Sequence, residues 1–339
     1  MLVVYAHAID LVQRLNVSAH QIKWGYLENF GAIGVDIFFV ISGFIMAFIS
    51  RNMSSKKDAF QFLLKRIVRI YPLYLCVTLI LILKNVPPIE TLIKDITLVP
   101  LFDKANGFVP LTISVAWSLS FELFFYFIVF TSIILAKKNH LKATVIYFIL
   151  LATIGSIFMF KETHLQFIFN PIFFEFVLGI IICQIFLIYR EKIYKTSFLL
   201  LLTAIAFYIL LICFGYKNVS EVSISIFGDK GLLRVLLWGI PSALLVAGFV
   251  FFESRKQYGI FKNKLLNLIG DASYSIYLIH ILSFPILIKL NILKLDTISG
   301  DLLIFILIVF AVISGILVYL IIEKPLLKFI NTILKKYNA

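Results

Sequence analysis

The chain has 339 residues, 61% of them hydrophobic and only 14% charged, with a formal net charge of +13. A soluble domain carries roughly 45–50% apolar and about 25% charged residues, so this composition excludes a single water-soluble globule and makes lipid the solvent of much of the surface. The positive charge does not indicate nucleic-acid binding, because Lys and Arg gather in the cytoplasmic connections of membrane proteins and raise the pI by that sorting alone.

A helix that crosses a bilayer needs roughly 20 mostly apolar residues. The first apolar piece, Met1–Leu15, is too short for a full span and contains His7 and Asp10. It reads as the second half of a helix, an N-terminally truncated first span. Full spans are predicted at 30–50, 67–84, 116–136, 143–160, 170–188, 198–214, 232–252, 270–289 and 302–322. The fold class is therefore all-α, a polytopic transmembrane bundle of about ten helices. The longest connection, 85–115, holds Pro87, Pro88, Pro100 and Pro110. Residues 1–339 read as one membrane domain, with no internal repeat and no second domain after the bundle. Cys76, Cys183 and Cys213 lie inside apolar runs at spacings that match no metal motif, and they read as small buried hydrophobes.

The connections assign the sides. Segments 51–69, 137–142, 189–197, 253–264 and 323–339 hold 20 of the 31 Lys and Arg but only Asp58, Glu191, Glu253 and Glu323 among the acids. They are every second connection, so they share one face, which the positive-inside rule makes cytoplasmic. Ten spans then put both termini in the cytoplasm, nine without the Met1 piece put the N-terminus outside, and either count places 85–115 on the other side.

Ionisable groups inside apolar spans cost roughly 2.5–3.5 kcal/mol near the bilayer centre, so each needs a reason. His7 and Asp10 share a helix face at i,i+3. They read either as a general base with its orienter or as polar residues at a helix end. Asp36 follows Gly31 and Gly34, and it serves either the helix dipole or a cationic partner in the bundle. Ser118 and Glu122 share a face at i,i+4 just inside a span, where Glu122 can donate a proton or pair with a base. Arg66 and Arg69 share a face before Tyr71-Pro72. They read as ordinary cytoplasmic anchors or as a clamp for phosphates, which guanidinium groups bind bidentately. Ser273, Tyr277, His280 and Phe284 form a stripe on a late span, as a hydrogen-bonded packing seam or as support for a site. Glu175 and Asp271 read as structural residues near span ends.

Four segments in this order are distinctive: Gly34-Val35-Asp36-Ile37-Phe38-Phe39-Val40-Ile41-Ser42-Gly43-Phe44, Lys65-Arg66-Ile67-Val68-Arg69-Ile70-Tyr71-Pro72, Trp117-Ser118-Leu119-Ser120-Phe121-Glu122 and Tyr274-Ser275-Ile276-Tyr277-Leu278-Ile279-His280. Together with His7 they resemble the type 3 membrane acyltransferase family, over nearly the whole chain. That family acylates cell-surface polysaccharides, lipopolysaccharide and peptidoglycan. The resemblance implies a ten-helix bundle in a bacterial cytoplasmic membrane. It also implies acetyl-CoA or another acyl-CoA as cytoplasmic co-substrate, no tightly bound cofactor, and a saccharide hydroxyl on the far side as acceptor. By position, His7 matches the family's first-helix histidine, thought to be catalytic. Arg66 and Arg69 match the arginine pair associated with the donor, and Glu122 the acid of the Trp-Ser-Leu motif. The family's Arg about ten residues before that histidine has no counterpart here, and neither has the extracytoplasmic esterase-like domain of some relatives.

The expected reaction is an O-acyl transfer in which His7 deprotonates the sugar hydroxyl and Trp117 or Ser118 steadies the oxyanion. Whether an acyl-enzyme intervenes, which acyl group moves and how many copies assemble are left open by the residues. Two other classes keep similar helices and intramembrane charges: a carrier or exporter of a lipid-linked saccharide, and a non-catalytic relative, for which the short first helix is the argument.

Overall fold

The computed structural model describes residues 1–15, 29–83, 86–99, 102–103, 107–108, 111–158, 160, 162–189, 193–215, 231–253, 263–290 and 298–337. Its helices are α1 (Leu2–Leu15), α2 (Ile33–Ser50), α3 (Lys56–Ile82), α4 (Ile89–Thr97), α5 (Trp117–Ala136), α6 (His140–Phe158), α7 (Thr163–Ile168), α8 (Phe174–Tyr189), α9 (Tyr194–Phe214), α10 (Gly231–Glu253, with a π turn at Val235–Gly239), α11 (Lys264–Asp271), α12 (Ser273–Lys289), α13 (Gly300–Val318) and α14 (Lys324–Tyr337). The chain is a polytopic helical membrane protein. Pro100, Pro110 and most of the basic connection 253–264 lie outside the described residues.

Among the described residues, six stretches are long and apolar enough to cross a bilayer, and seven if α11 and α12, bent by 67°, form one. One of the six, Ser114–Phe158, has 45 residues. At about 1.5 Å per residue, a straight rod of that length overshoots a hydrocarbon core of roughly 30 Å. The stretch is instead folded back on itself. Lys137 breaks the helix at φ 49°, and the rings of Phe125 and Phe148 lie 5.9 Å apart. α5 and α6 are thus two spans.

Three features differ from the sequence reading. First, α3 begins at Lys56 rather than near residue 67. Its start is a capping box: the Ser55 hydroxyl accepts from the Asp58 amide at 3.1 Å, and the Asp58 carboxylate accepts from the Ser54 and Ser55 amides at 3.1 and 3.0 Å. Those backbone amides hold the Asp58 carboxyl below the usual carboxylate range. Lys56, Lys57 and Lys65 occupy turns before the apolar part of the helix, which a hydropathy window does not register. Second, the connection 85–115 contains α4 and a short antiparallel ladder, Phe102–Asp103 on Gly107–Phe108, a small exception to the all-α class. α4 is inverted in polarity. Lys94 and Asp95 are buried, while Ile89, Ile93 and Ile96 are exposed. A helix in water does the opposite, so the inversion fits lipid on its outer face. Tyr71 donates to the Thr97 carbonyl at 3.1 Å, which ties α4 to α3, and the Thr112 amide donates to Asp95 at 2.9 Å, which ties α4 to the segment before α5. Third, of the cysteines only Cys183 is buried. Cys76 and Cys213 are exposed because an apolar run in a bilayer protein has lipid-facing positions as well as buried ones.

An aromatic seam joins α2, α5, α6 and α8. Phe39 stacks on Phe176 at 4.5 Å and Phe125 on Phe176 at 4.4 Å. Bilayer helices associate through close packing rather than through exclusion of water, which favours small residues at contacts. Gly43 and Gly179 show this. A Cβ on Gly43 would lie 2.1 Å from the Phe176 carbonyl oxygen, and one on Gly179 2.1 Å from that of Val40. The α2 and α8 backbones therefore touch, and this contact fixes the height of Ser42, next to Gly43.

Candidate functional site

A cavity of about 500 Å³ opens between α1, α2, α3, α5 and the α11–α12 bend. All four distinctive segments reach it: Ser42 from α2, Arg66 and Arg69 from α3, Ser118 and Glu122 from α5, and Tyr274 and Tyr277 from α12. Residues more than 200 positions apart thus face one space.

The two arginines differ. Arg69 pairs with Glu323, which sits in the π turn after α13 and is 1% exposed. The same carboxylate accepts from the Ser275 hydroxyl at 2.5 Å. The Arg69 guanidinium also lies 5.6 Å from the centroid of the Tyr274 ring, whose hydroxyl donates to the Ile70 carbonyl at 2.7 Å. Arg66, one turn earlier, has a buried Nε without a hydrogen-bond partner among the described residues. Arg66 thus keeps one buried donor unpaired among the described residues, whereas the position of Arg69 is fixed by charge and packing. Arg66→Ala should leave thermal stability in detergent within about 0.5 kcal/mol of the parent. Arg69→Ala strands the Glu323 carboxylate and should cost about 1–3 kcal/mol. Adding Glu323→Gln should recover part of that loss. Equal melting of the two single variants would show that Glu323 does not depend on Arg69.

Glu122 lies one turn inside α5. Its Oε1 accepts from Ser42 at 3.2 Å and from the Tyr126 hydroxyl. Both bonds fall on one oxygen, which leaves Oε2 for the cavity. Ser118 and the Tyr277 hydroxyl are 2.8 Å apart, and Tyr277 lies 2.5 Å from the Val115 carbonyl. A carbonyl only accepts, so Tyr277 donates to it, and the Ser118 proton goes to the Tyr277 oxygen or to the Val115 carbonyl 3.3 Å away. Ser118 then turns lone pairs, not a proton, toward the cavity. Trp117 lies in the aromatic seam, edge-on to Phe39 at 6.3 Å and to Phe121 at 5.8 Å.

His7 lies on α1 just beyond the cavity. Val3 and Val4, one turn before it on the same face, line the space. Its ring centroid is 5.3 Å from that of His280, which is fully buried and 6.1 Å from the Tyr277 ring. Asp10 pairs with Arg14 at 3.4 Å, with side chains 41% and 78% exposed. It faces outward with that partner.

Asp36 lies elsewhere. Arg234 on α10 holds it bidentately, at 2.9 and 2.8 Å, with both residues at most 1% exposed. Glu175 is buried beside the pair, against Gly239 in the π turn of α10. The cluster clamps α2, α8 and α10 on the side away from the cavity. Sequence reasoning missed Arg234, Glu323, Ser42, Tyr126 and Tyr274 as participants. Ser42 and Tyr274 sit inside the distinctive segments, which was a usable signal. Arg234 drew no reading from the sequence although it lies within the predicted span 232–252, and Glu323 counted only among the acids of the segment 323–339.

The arrangement is that of a membrane enzyme. An apolar bundle encloses a chamber with guanidinium groups, a carboxyl group and hydroxyls on its walls, and a pair of imidazoles adjoins it. The chain belongs to the acyltransferase domain family, which it matches over residues 1–322, and it is a membrane acyltransferase. It is 27% identical over 314 residues to the exopolysaccharide production protein ExoZ of Rhizobium meliloti (strain 1021), an alignment covering 90% of this chain and 92% of that protein. No solved structure matches it.

Proposed function

We propose that this protein transfers an acyl group, acetyl by preference, from cytoplasmic acyl-CoA to a hydroxyl of an extracytoplasmic or lipid-linked saccharide. The observation that carries the reading is the shared cavity, with arginines, Glu122 and the Ser118–Tyr277 pair on its walls and His7 just beyond. The name of the relative in Rhizobium meliloti supports a polysaccharide acceptor. The alternating basic connections support a bacterial cytoplasmic membrane with both termini inside.

Arg66 and Arg69 take the phosphates of acyl-CoA, and the pantetheine arm carries the thioester into the cavity. The acceptor hydroxyl gives its proton to His7 as its oxygen attacks the thioester carbon. The carbon–sulfur bond breaks, and Glu122, in its acid form, protonates the departing thiolate. The proton on His7 then resets Glu122, so one ester and one thiol result. Holding both reactants in one chamber supplies much of the acceleration by proximity.

The test uses membrane vesicles containing the full chain and acetyl-CoA labelled on the acetyl group. The expected result is label in extracytoplasmic glycan, with thiol released in equal amount. Saccharide crossing the membrane with no donor consumed would overturn the reading in favour of an exporter.

A further inference from the structure

We propose that His280 is the positioning residue of His7: its Nε2 accepts the N–H of the His7 ring and so decides which His7 nitrogen is the base. The inference rests on the reading of His7 as general base given above.

His280 is fully buried on α12. Its Nδ1 lies 2.6 Å from the Tyr277 carbonyl oxygen. That oxygen can only accept, so Nδ1 carries the ring proton and the neutral ring presents Nε2 as a bare acceptor. Nε2 is itself buried and has no hydrogen-bond partner among the described residues. Orphaned buried nitrogens are rare, and each calls for an explanation. Three rings surround His280. Phe284 meets it edge-on at 5.7 Å and has no polar hydrogen. Tyr277, at 6.1 Å, has its hydroxyl proton on the Val115 carbonyl. The third is His7, with centroids 5.3 Å apart and planes tilted by 39°.

Two imidazoles joined by an N–H···N bond of about 2.9 Å have centroids roughly 5 Å apart. The observed separation of 5.3 Å is of that size, and the bond closes when the His7 ring turns its N–H toward Nε2. Once closed, His7 holds its proton on the nitrogen facing His280, and its other nitrogen is bare. A general base must present a bare nitrogen, and a third group that orients it is the usual device. The common device is a carboxylate, and here Asp10 is engaged with Arg14 instead. A neutral imidazole acceptor does the same work without a second charge in the membrane, where a charge is costly.

The test compares His280→Gln, His280→Asn and His280→Leu in the full-length protein, with labelled acetyl-CoA as donor. The Gln amide oxygen falls near the Nε2 position and can accept the His7 N–H, whereas Asn is too short and Leu cannot accept. His280→Asn and His280→Leu should lower kcat by about 10–100-fold, the usual cost of losing the partner that orients a histidine. KM for acyl-CoA should not move, and His280→Gln should keep most of the turnover. In a His7→Ala background His280→Leu should cost nothing further. Full turnover in His280→Leu, alongside an inactive His7→Ala, would overturn this inference and leave the base intact. Full turnover in His7→Ala would overturn the base reading itself. Should the variants fail to insert, the unaltered protein decides. With its five histidines labelled with nitrogen-15, magnetic resonance in bilayers should show a coupling across the N–H···N bond between His7 and His280. Absence of that coupling overturns the proposal.

Discussion

His7→Ala should lower acyl transfer by about 10²–10⁴-fold, the usual contribution of a positioned general base, with little change in the amount of folded protein. The two effects separate because of where His7 sits. The packing of α1 is carried by Val4, Ala8, Ile9 and Val12, which are almost fully buried and belong to one cluster with α12 and α13. Removing the imidazole leaves that cluster whole. Glu122→Gln makes the contrasting case. The amide oxygen can still accept from Ser42 and Tyr126, so the wall of the cavity is retained while the transferable proton is lost. Turnover should fall with KM for the donor unchanged, since the arginines are untouched. Initial rates on membranes matched for protein abundance check both variants. A His7→Ala protein that transfers at the parent rate would remove His7 from the chemistry.

The sequence disclosed most of the spans because the bilayer imposes a simple rule, a long apolar run per crossing, although α1 and α3 are not among the stretches long and apolar enough to cross. It disclosed the start of α3 poorly because the rule stops at the membrane surface. Lys56 to Lys65 are helical turns held by the Ser55–Asp58 box, and outside the hydrocarbon core a helix need not be apolar. α4 was unreadable for the opposite reason. Its buried face carries Lys94 and Asp95 and its exposed face isoleucines, so rules for amphipathic helices in water assign the faces backwards. The site was legible in part. His7 and Glu122 stand out as ionisable groups inside apolar runs, where burial is costly, and Arg66 and Arg69 as a same-face pair at the cytoplasmic entry of a span. What a single sequence does not show is pairing across long separations. Arg69 and Glu323 are 254 residues apart, and Asp36 and Arg234 are 198 apart. Only the packing reveals that Arg69 has a counter-ion at its side and that Arg66 keeps a buried nitrogen free.

Arg234→Leu should be the most damaging substitution for folding. A buried ion pair contributes little over an apolar pair of similar volume, but removing one partner strands the other and costs about 3–5 kcal/mol. Here the loss is compounded, because Glu175 is buried beside the pair and the stranded Asp36 carboxylate would face a second carboxyl group with no cation between them. The folded protein recovered in detergent should fall sharply and its melting temperature should drop. Asp36→Leu combined with Arg234→Leu should recover much of that loss, since the pair is then replaced by apolar packing. A single Arg234→Leu variant that melts like the parent would show that the cluster is not a clamp. The consequence reaches the cavity through α2. Asp36 lies less than two turns before Ser42, and Ser42 is one of the two donors that hold Glu122. Loosening the clamp lets α2 shift along α8, and Glu122 then loses the anchor that leaves its second oxygen facing the cavity. Transfer by whatever fraction of Arg234→Leu folds should therefore be slower per molecule, a loss that the double variant should largely reverse.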